Sequence, residues 1–279
     1  METWTVVQHH RLKELNAPSD ELEREFNDPV SRDRSFQRLE TELIKIQRSC
    51  LQEFFQVRLN PGIFELEHRL TTALMAQGFA RVATPIIMSK SHLSKMSITE
   101  SHRLYKQIYW IDGKQCLRPM LAPHLYYIMK DLVRLCEKPI RFFEIGPCFR
   151  KETQGAMHSR EFTMLNLVEI GLPPEERLNR LKELANVVAR TAALHDFGFR
   201  VESSEVYGET VDLVGGSGEI EIGSGAMGPH PLDAAWGIRD TWIGFGFGLE
   251  RLLMVSRGQE SLGRSCRSLK YVDGISLRI

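Results

Sequence analysis

Residues 244 to 254 read GFGFGLERLLM. Gly244, Gly246 and Gly248 alternate with Phe245 and Phe247, and a run of Leu249, Leu252, Leu253, Met254 and Val255 encloses Glu250 and Arg251. Side chains on a strand alternate between faces, so the glycine half predicts a strand that is bare on one face and aromatic on the other. The leucine half predicts a helix apolar on nearly every side, and such a helix is buried. Arg251 then stands out, because a buried guanidinium needs an anion or a stacking partner. An ion pair with Glu250 or another carboxylate would meet that need, and so would a ligand. The bare strand face favours the ligand, because a flat molecule can approach its backbone closely.

Upstream lie further strand signals. EIEIGSGAMGP and VYGETVDLV read as a strand pair, and IRFFEIGPCFRKE and EFTMLNLVEIG as two long strands joined by the polar loop around TQGAMHS. Strand alternation puts Arg150 and Glu152 on one face, and Phe162, Met164, Asn166 and Val168 on one face. Phe162 to Asn166 spans roughly 13 Å at about 3.3 Å per residue, the length of a nucleotide joined to a small acid. An ordinary half-buried strand would explain most of that row. Asn166 argues for more, since a buried amide must find partners. Glu221 and Ser224 are candidate oxygen ligands for magnesium beside a polyphosphate. They should face opposite ways unless a bulge, expected at Gly223, brings them together.

The remaining elements complete an α+β pattern, an antiparallel sheet with helices around it and no βαβ alternation. Residues 1 to 59 read as an N-terminal helical region, with a stripe at Phe36, Leu39, Leu43, Ile46, Cys50, Phe54 and Val57 expected to be buried. Asn60-Pro61 is expected to start a helix carrying Leu66, Leu70 and Leu74, which ends near Gly78 and runs into FARVATP, a short strand. Asp112-Gly113 lies between two strand-like runs and predicts a type I′ hairpin. Helices are expected over about 123–136 and 174–194.

Composition narrows the classes. The 279 residues carry 36 basic and 36 acidic side chains, so no net charge marks a histone-like or polybasic membrane binder. No apolar run reaches spanning length and METWTVVQHH is no signal peptide, so a cytoplasmic protein is expected. The five cysteines are scattered without a Cys-x-x-Cys pair, and the nine histidines show no ligand spacing. Neither a disulfide framework nor a zinc site is indicated.

The order helix-strand-Pro in GFARVATP, strand-Arg-loop-strand in FRKE and EFTMLN, and Gly-rich strand-Arg-helix in GFGFGLERLL resembles the three signature motifs of the class II aminoacyl-tRNA synthetases. LRPMLAPHLYYIM, FEIGPCFRKE, VYGETVDL, GPHPLD and WIGFGFGLERLL resemble, more narrowly, the catalytic domain of the pyrrolysyl-tRNA synthetase family. That resemblance is strong over residues 60–279 and weaker at FNDPVSRDRSFQRLE. It implies a class II catalytic domain over 60–279, with the helices of 1–59 contacting tRNA. It is nearest the stand-alone catalytic form of the family, found in bacteria, without a tRNA-binding domain in front.

The resemblance also implies roles. Arg150 and Arg251 would be the catalytic arginines. Arg150 would hold the α-phosphate of ATP and the substrate carboxylate, Glu152 the adenine amino group, and Phe162 and Arg251 would enclose the ring. Glu221 and Ser224 would place Mg2+. Asn166 would hydrogen-bond the side-chain carbonyl of pyrrolysine. Ala122, Leu125, Tyr126, Met129, Val168, Tyr207, Ala226, Trp242 and Gly246 would complete the amino-acid pocket. Val168 stands where Cys or Thr is common and Phe245 where Ala or Leu is common, which bears on pocket shape. Implied partners are the cognate pyrrolysine tRNA, a second copy of the chain, and in some settings a separate tRNA-binding protein. Arg264, Arg267 and Lys270 would face tRNA, although a solvated basic surface reads the same way. A synthetase for phenylalanine or another large amino acid, and a paralogue that binds tRNA without charging it, stay open at this point.

Overall fold

The computed structural model describes residues 1–151, 159–216, 220–259 and 261–279. Two compact units form, one from Met1–Pro61 with Ser268–Ile279, the other from Gly62–Arg267.

In the first unit, α1 (Val6–Glu14) opens on a capping box between Thr5 and Gln8, and α3 (Pro29–Glu53) opens on the Asp28 cap with Pro29 in its first turn, after the short α2 (Ser19–Leu22). Trp4, Leu12, Leu15, Phe26 and Leu43 make its core. The expected α3 stripe is only partly buried. Leu43 and Phe54 are inside, whereas Ile46 and Val57 are 48% and 71% exposed. A π-turn over Phe54–Arg58 breaks the helical period. Gln47 is inside instead, because its amide donates to Leu15 O at 3.1 Å and accepts from Ser276 N at 2.9 Å.

In the second unit, α4 (Gly62–Ala76) begins one residue after Pro61 and buries Leu66, Leu70 and Leu74. The chain continues through β1 (Ala80–Arg81), β2 (Ile87–Ser89), α5 (Lys90–Lys95), β3 (Gln115–Leu117), α6 (Ala122–Leu135), β4 (Ile140–Phe149), β5 (Glu161–Ile170), α7 (Arg177–Thr191), β6 (Phe197–Ser204), β7 (Gly208–Gly215), β8 (Ile220–Gly228), β9 (Trp242–Gly248) and α8 (Leu249–Ser256). The seven-stranded sheet runs β1-β4-β5-β9-β8-β7-β6. Every pairing is antiparallel except β1 with β4. One face packs on α4, α7 and α8 through Phe143, Leu165, Leu167, Phe245 and Phe247, the last two stacked at 4.4 Å. The opposite face carries the site, with α6 and the turn Pro231–Trp236 beside it.

Two local expectations need correction, and one strand was not expected at all. Asp112-Gly113 is not a type I′ hairpin, since neither residue has a positive φ. The Asp112 carboxylate accepts from Lys114 N and Gln115 N, an Asx-type turn, and the preceding run is a 3-10 turn over Arg103–Gln107. The edge strand β6 has no counterpart in the sequence reading. The bulge in β8 also sits one residue earlier than expected. Leu213 pairs with Gly223 and Val214 with Glu221, which leaves Ile222 as the extra residue. Among the described residues, no helix is long and apolar enough to cross a membrane.

Candidate active site

The β5 row expected from alternation forms the floor of the site. On β5, Met164, Asn166 and Val168 lie directly across from Gly248, Gly246 and Gly244 on β9, and Gly246 and Gly244 lie across from Ser224 and Ala226 on β8. The glycines thus leave a bare strip between two rows of side chains, while Phe245 and Phe247 fill the core on the other face. Ala122, Leu125, Tyr126 and Met129 of α6 wall one side, with Tyr207 and Trp242 at the apolar end. Together these residues enclose a cavity of about 370 Å³. Arg150, Phe162, Glu221, Ser224 and Arg251 line its polar end. Glu152 lies outside the described residues.

Arg150 follows β4. Its Nε donates to Pro119 O at 2.9 Å and its guanidinium lies 5.1 Å above the centre of the Phe162 ring. Two cavity residues of the polar end are therefore already in register. Arg251 sits in the first turns of α8, where its Nη1 donates to Glu221 O at 3.0 Å and stands 3.9 Å from Glu221 Oε1. Its side chain is 31% exposed, so the expectation of a fully buried guanidinium is not met. The helix turns Arg251 to the cavity mouth while Leu249, Leu252 and Leu253 face the core. Glu250 is not its partner. Both Glu250 oxygens accept from Thr163 N, at 2.8 and 2.9 Å, which ties α8 to β5. Burial holds the Glu250 carboxyl above its ordinary range, and the bond from Thr163 opposes that only in part.

The bulge has a direct consequence. Ile222 turns into the core, 1% exposed, and both Glu221 and Ser224 line the cavity. Asp212 on β7 lies directly across from Ser224, is 5% exposed, and its Oδ1 has no hydrogen-bond partner among the described residues. A buried carboxylate left unpaired is costly. No group of three or more His, Cys, Asp or Glu among the described residues is placed to hold a metal ion. The set Glu221, Ser224 and Asp212 nevertheless fits Mg2+, which uses one or two carboxylates and takes its other oxygens from phosphate and water. Asn166 Oδ1 is likewise buried without a partner among the described residues, beside the apolar end.

Sequence reasoning missed Asp212, and it offered Glu250 only as a partner for Arg251, not as the tie to Thr163. Met164 was on the cited row but not assigned to the site. Arg264, Arg267 and Lys270 do not line the cavity. Arg267 pairs with Glu161 at 3.2 Å, and Lys270 is exposed in the other compact unit.

The family model for the class II core domain (F) of tRNA synthetases matches residues 45–265. The chain belongs to the class II tRNA synthetases. A crystal structure of pyrrolysyl-tRNA synthetase from Desulfitobacterium hafniense is 52% identical to this synthetase with a TM-score of 0.93, covering 100% of this chain and 99% of that one. A second pyrrolysyl-tRNA synthetase structure from the same organism is 51% identical at a TM-score of 0.91, covering 100% and 96%. A threonine–tRNA ligase of Ehrlichia ruminantium (strain Welgevonden) is 29% identical over 131 residues, 44% of this chain and 21% of its own length. The chain spans 21% and 29% of the length of the first two such curated relatives.

Proposed function

We propose that this synthetase is a pyrrolysine–tRNA ligase. The observation that carries the reading is the Asn166 row: one amide beside a bare glycine strip, between an arginine-lined polar end and an apolar chamber closed by Trp242 and Tyr207. A long amino acid with an apolar end group and one side-chain carbonyl matches that sequence of environments. The overall likeness to the Desulfitobacterium hafniense structures supports the same reading.

In the first step an oxygen of the amino-acid carboxylate attacks the α-phosphorus of ATP. A carboxyl–phosphate bond forms, the bond to the β-phosphate oxygen breaks, and pyrophosphate leaves with the electron pair. Arg150 neutralises charge on the α-phosphate and aligns the carboxylate, while Phe162 and Arg251 hold adenine between them. Glu221 and Ser224, with Asp212 behind Ser224, would hold Mg2+, whose chemistry is to neutralise the polyphosphate. In the second step a terminal ribose hydroxyl of tRNA attacks the acyl carbon, loses its proton and displaces AMP. No side chain forms a covalent bond, so positioning and charge stabilisation supply the rate.

A second copy of the chain is the partner for the apolar residues left outside on the segment that resembles the first class II motif and just beyond it. Phe64 and Met75 of α4 are 49% and 58% exposed, and Ile86 and Ile87 are 42% and 50% exposed. Isologous pairing is the commonest oligomeric arrangement, and light scattering at micromolar concentration reads it directly.

ATP–pyrophosphate exchange across a panel of amino acids tests the activity. Exchange is expected with pyrrolysine and Nε-acyl lysines. Exchange with phenylalanine alone would reassign the substrate. No exchange with any member would reduce the chain to a tRNA binder.

A further inference from the structure

Arg118 is 2% exposed, yet it does not line the cavity and has no part in the chemistry described above. A guanidinium taken out of water is costly unless it is paired and hydrogen-bonded. Arg118 Nη1 donates to Glu144 Oε1 at 2.7 Å and to Thr84 Oγ1 at 3.0 Å, and its Nε donates to Pro147 O at 2.7 Å. The Thr84 hydroxyl gives its own proton to Glu144 Oε2 at 2.7 Å, and Thr84 N donates to Oε1 at 3.1 Å. The main chain is tied as well. Arg118 N donates to Ile86 O and Phe149 N donates to Arg118 O, both at 3.0 Å. Gly146 on β4, across from Met164 on β5, makes the room, since a Cβ there would overlap Arg118 Nη2. One side chain thus locks together the segment after β1, the strand β4 and the segment after β3.

Pro119 comes next, and its carbonyl is the acceptor for Arg150 Nε at 2.9 Å. The peptide bond between Arg118 and Pro119 is planar, and the proline ring fixes φ. A single soft torsion, ψ of Pro119, therefore separates the anchored Arg118 carbonyl from the carbonyl that receives Arg150. That second carbonyl holds the edge of the Arg150 guanidinium. The Phe162 ring, 5.1 Å from its central carbon, holds its face. The guanidinium is a rigid planar fork, so edge and face together set the direction in which its terminal nitrogens extend.

We propose that Arg118 is a positioning residue: it anchors the Pro119 carbonyl, and that carbonyl aims Arg150 into the polar end of the cavity. The catalytic consequence rests on the reading above that Arg150 acts on the α-phosphate. Arg118 touches no substrate and works only through Arg150. A displacement of about 1 Å in a group that serves the transition state can lower a rate roughly 10²-fold. The buried ion pair with Glu144 is what keeps that displacement from occurring.

A double-mutant cycle in ATP–pyrophosphate exchange tests it. Arg118→Lys keeps a charge opposite Glu144 but loses the fork that also serves Pro147. It should lower kcat by roughly ten- to a hundredfold, with the KM for ATP nearly unchanged. In an Arg150→Ala background the same substitution should add almost no loss, because the group that it aims is gone. A loss by the same factor in both backgrounds marks a merely structural role and overturns the proposal, as does wild-type kcat in folded Arg118→Lys. Where Arg118→Lys does not fold, Thr84→Val carries the cycle. It removes one acceptor from Arg118, should lower kcat about two- to tenfold, the worth of one hydrogen bond, and should again add nothing to Arg150→Ala. Unchanged kcat or an additive loss there overturns the proposal too. Arginine side-chain NMR separates the anchoring from the chemistry. The Arg150 Nε proton, assigned by its disappearance in Arg150→Ala, should be protected from solvent in the wild type and lose that protection in Arg118→Lys or Thr84→Val. If Arg150→Ala itself turns over at the wild-type rate, the reading of Arg150 fails, and the NMR result alone decides the anchoring. Equal protection in wild type and variant overturns the proposal.

Discussion

The Asn166 side chain lies directly over Gly246 across the β5–β9 pair, and a methyl group on Gly246 would come within 3.1 Å of Asn166 Nδ2 and 3.2 Å of Oδ1. The amide occupies the space that the missing side chain leaves. Gly246→Ala should therefore tilt the amide away from the cavity with little effect on folding, because only the neighbouring side chain has to give. The KM for the amino acid should rise on the order of tenfold, the loss of one hydrogen bond, with the KM for ATP unchanged. Equal KM values for the amino acid in both proteins would show that Asn166 keeps its place.

Removing the amide itself goes further. Asn166→Ala should weaken pyrrolysine activation by roughly ten- to a hundredfold, since a buried substrate carbonyl left unpaired costs about 1–3 kcal/mol. It also enlarges the chamber, so substituted phenylalanines should gain relative to acyl lysines. Trimming Val168 as well should extend the trend without strict additivity, because the two share one face of β5. Exchange kinetics with both substrate groups measure it, and an unchanged preference in Asn166→Ala would remove this residue from substrate recognition.

Arg150→Ala should lower the exchange rate constant by about 10²- to 10³-fold, the usual loss when one preorganised charge partner is removed. Arg150→Lys should recover little, because an ammonium has neither the planar fork nor the flat face that lies over Phe162. Thermal unfolding should change slightly in both, so folded protein with near wild-type exchange would contradict the assignment.

His124 predicts a pH dependence of stability. Burial, assisted by His92 and Arg118, holds its imidazole down at about 4, and the opposing pull of Glu144 and the Pro85 carbonyl is smaller. An unfolded histidine titrates near 6.5. Between those values the unfolded chain takes up a proton that the folded chain refuses. Stability is full above about pH 6.5 and falls as pH drops towards 4. His92, beside it and also held down by burial and Lys95, adds to the same trend. The melting temperature should fall less steeply between pH 7 and 5 in His124→Leu than in the wild type, and superimposable slopes would refute the assignment.

Arg264 and Lys270 are expected to contact tRNA. Replacing both with Glu should weaken tRNA binding and aminoacylation, with the effect shrinking at high salt, while amino-acid-dependent pyrophosphate exchange stays unchanged. Aminoacylation that matches the wild type across a salt series would exclude both.

What the sequence alone determined is what covalent geometry dictates locally. Alternation placed Phe162, Met164, Asn166 and Val168 on one face of β5 and bared one face of β9, and both hold in the structure. The spacing of Leu66, Leu70 and Leu74 located the buried face of α4. These readings need only the two-residue and 3.6-residue periods of strand and helix. Tertiary structure decided what depends on partners distant along the chain. The inside position of Gln47 waits on Leu15 and Ser276, and the role of Glu250 waits on the Thr163 N–H. The bulge falls at Ile222, whose side chain joins the core formed with α4, α7 and α8, and not at Gly223. Asp233 stands in the sequence only as the last residue of the stretch GPHPLD. Its charge acquires meaning only where α6 and β9 bring Tyr126 and Trp242 against it, since a buried carboxylate is defined by the donors that surround it.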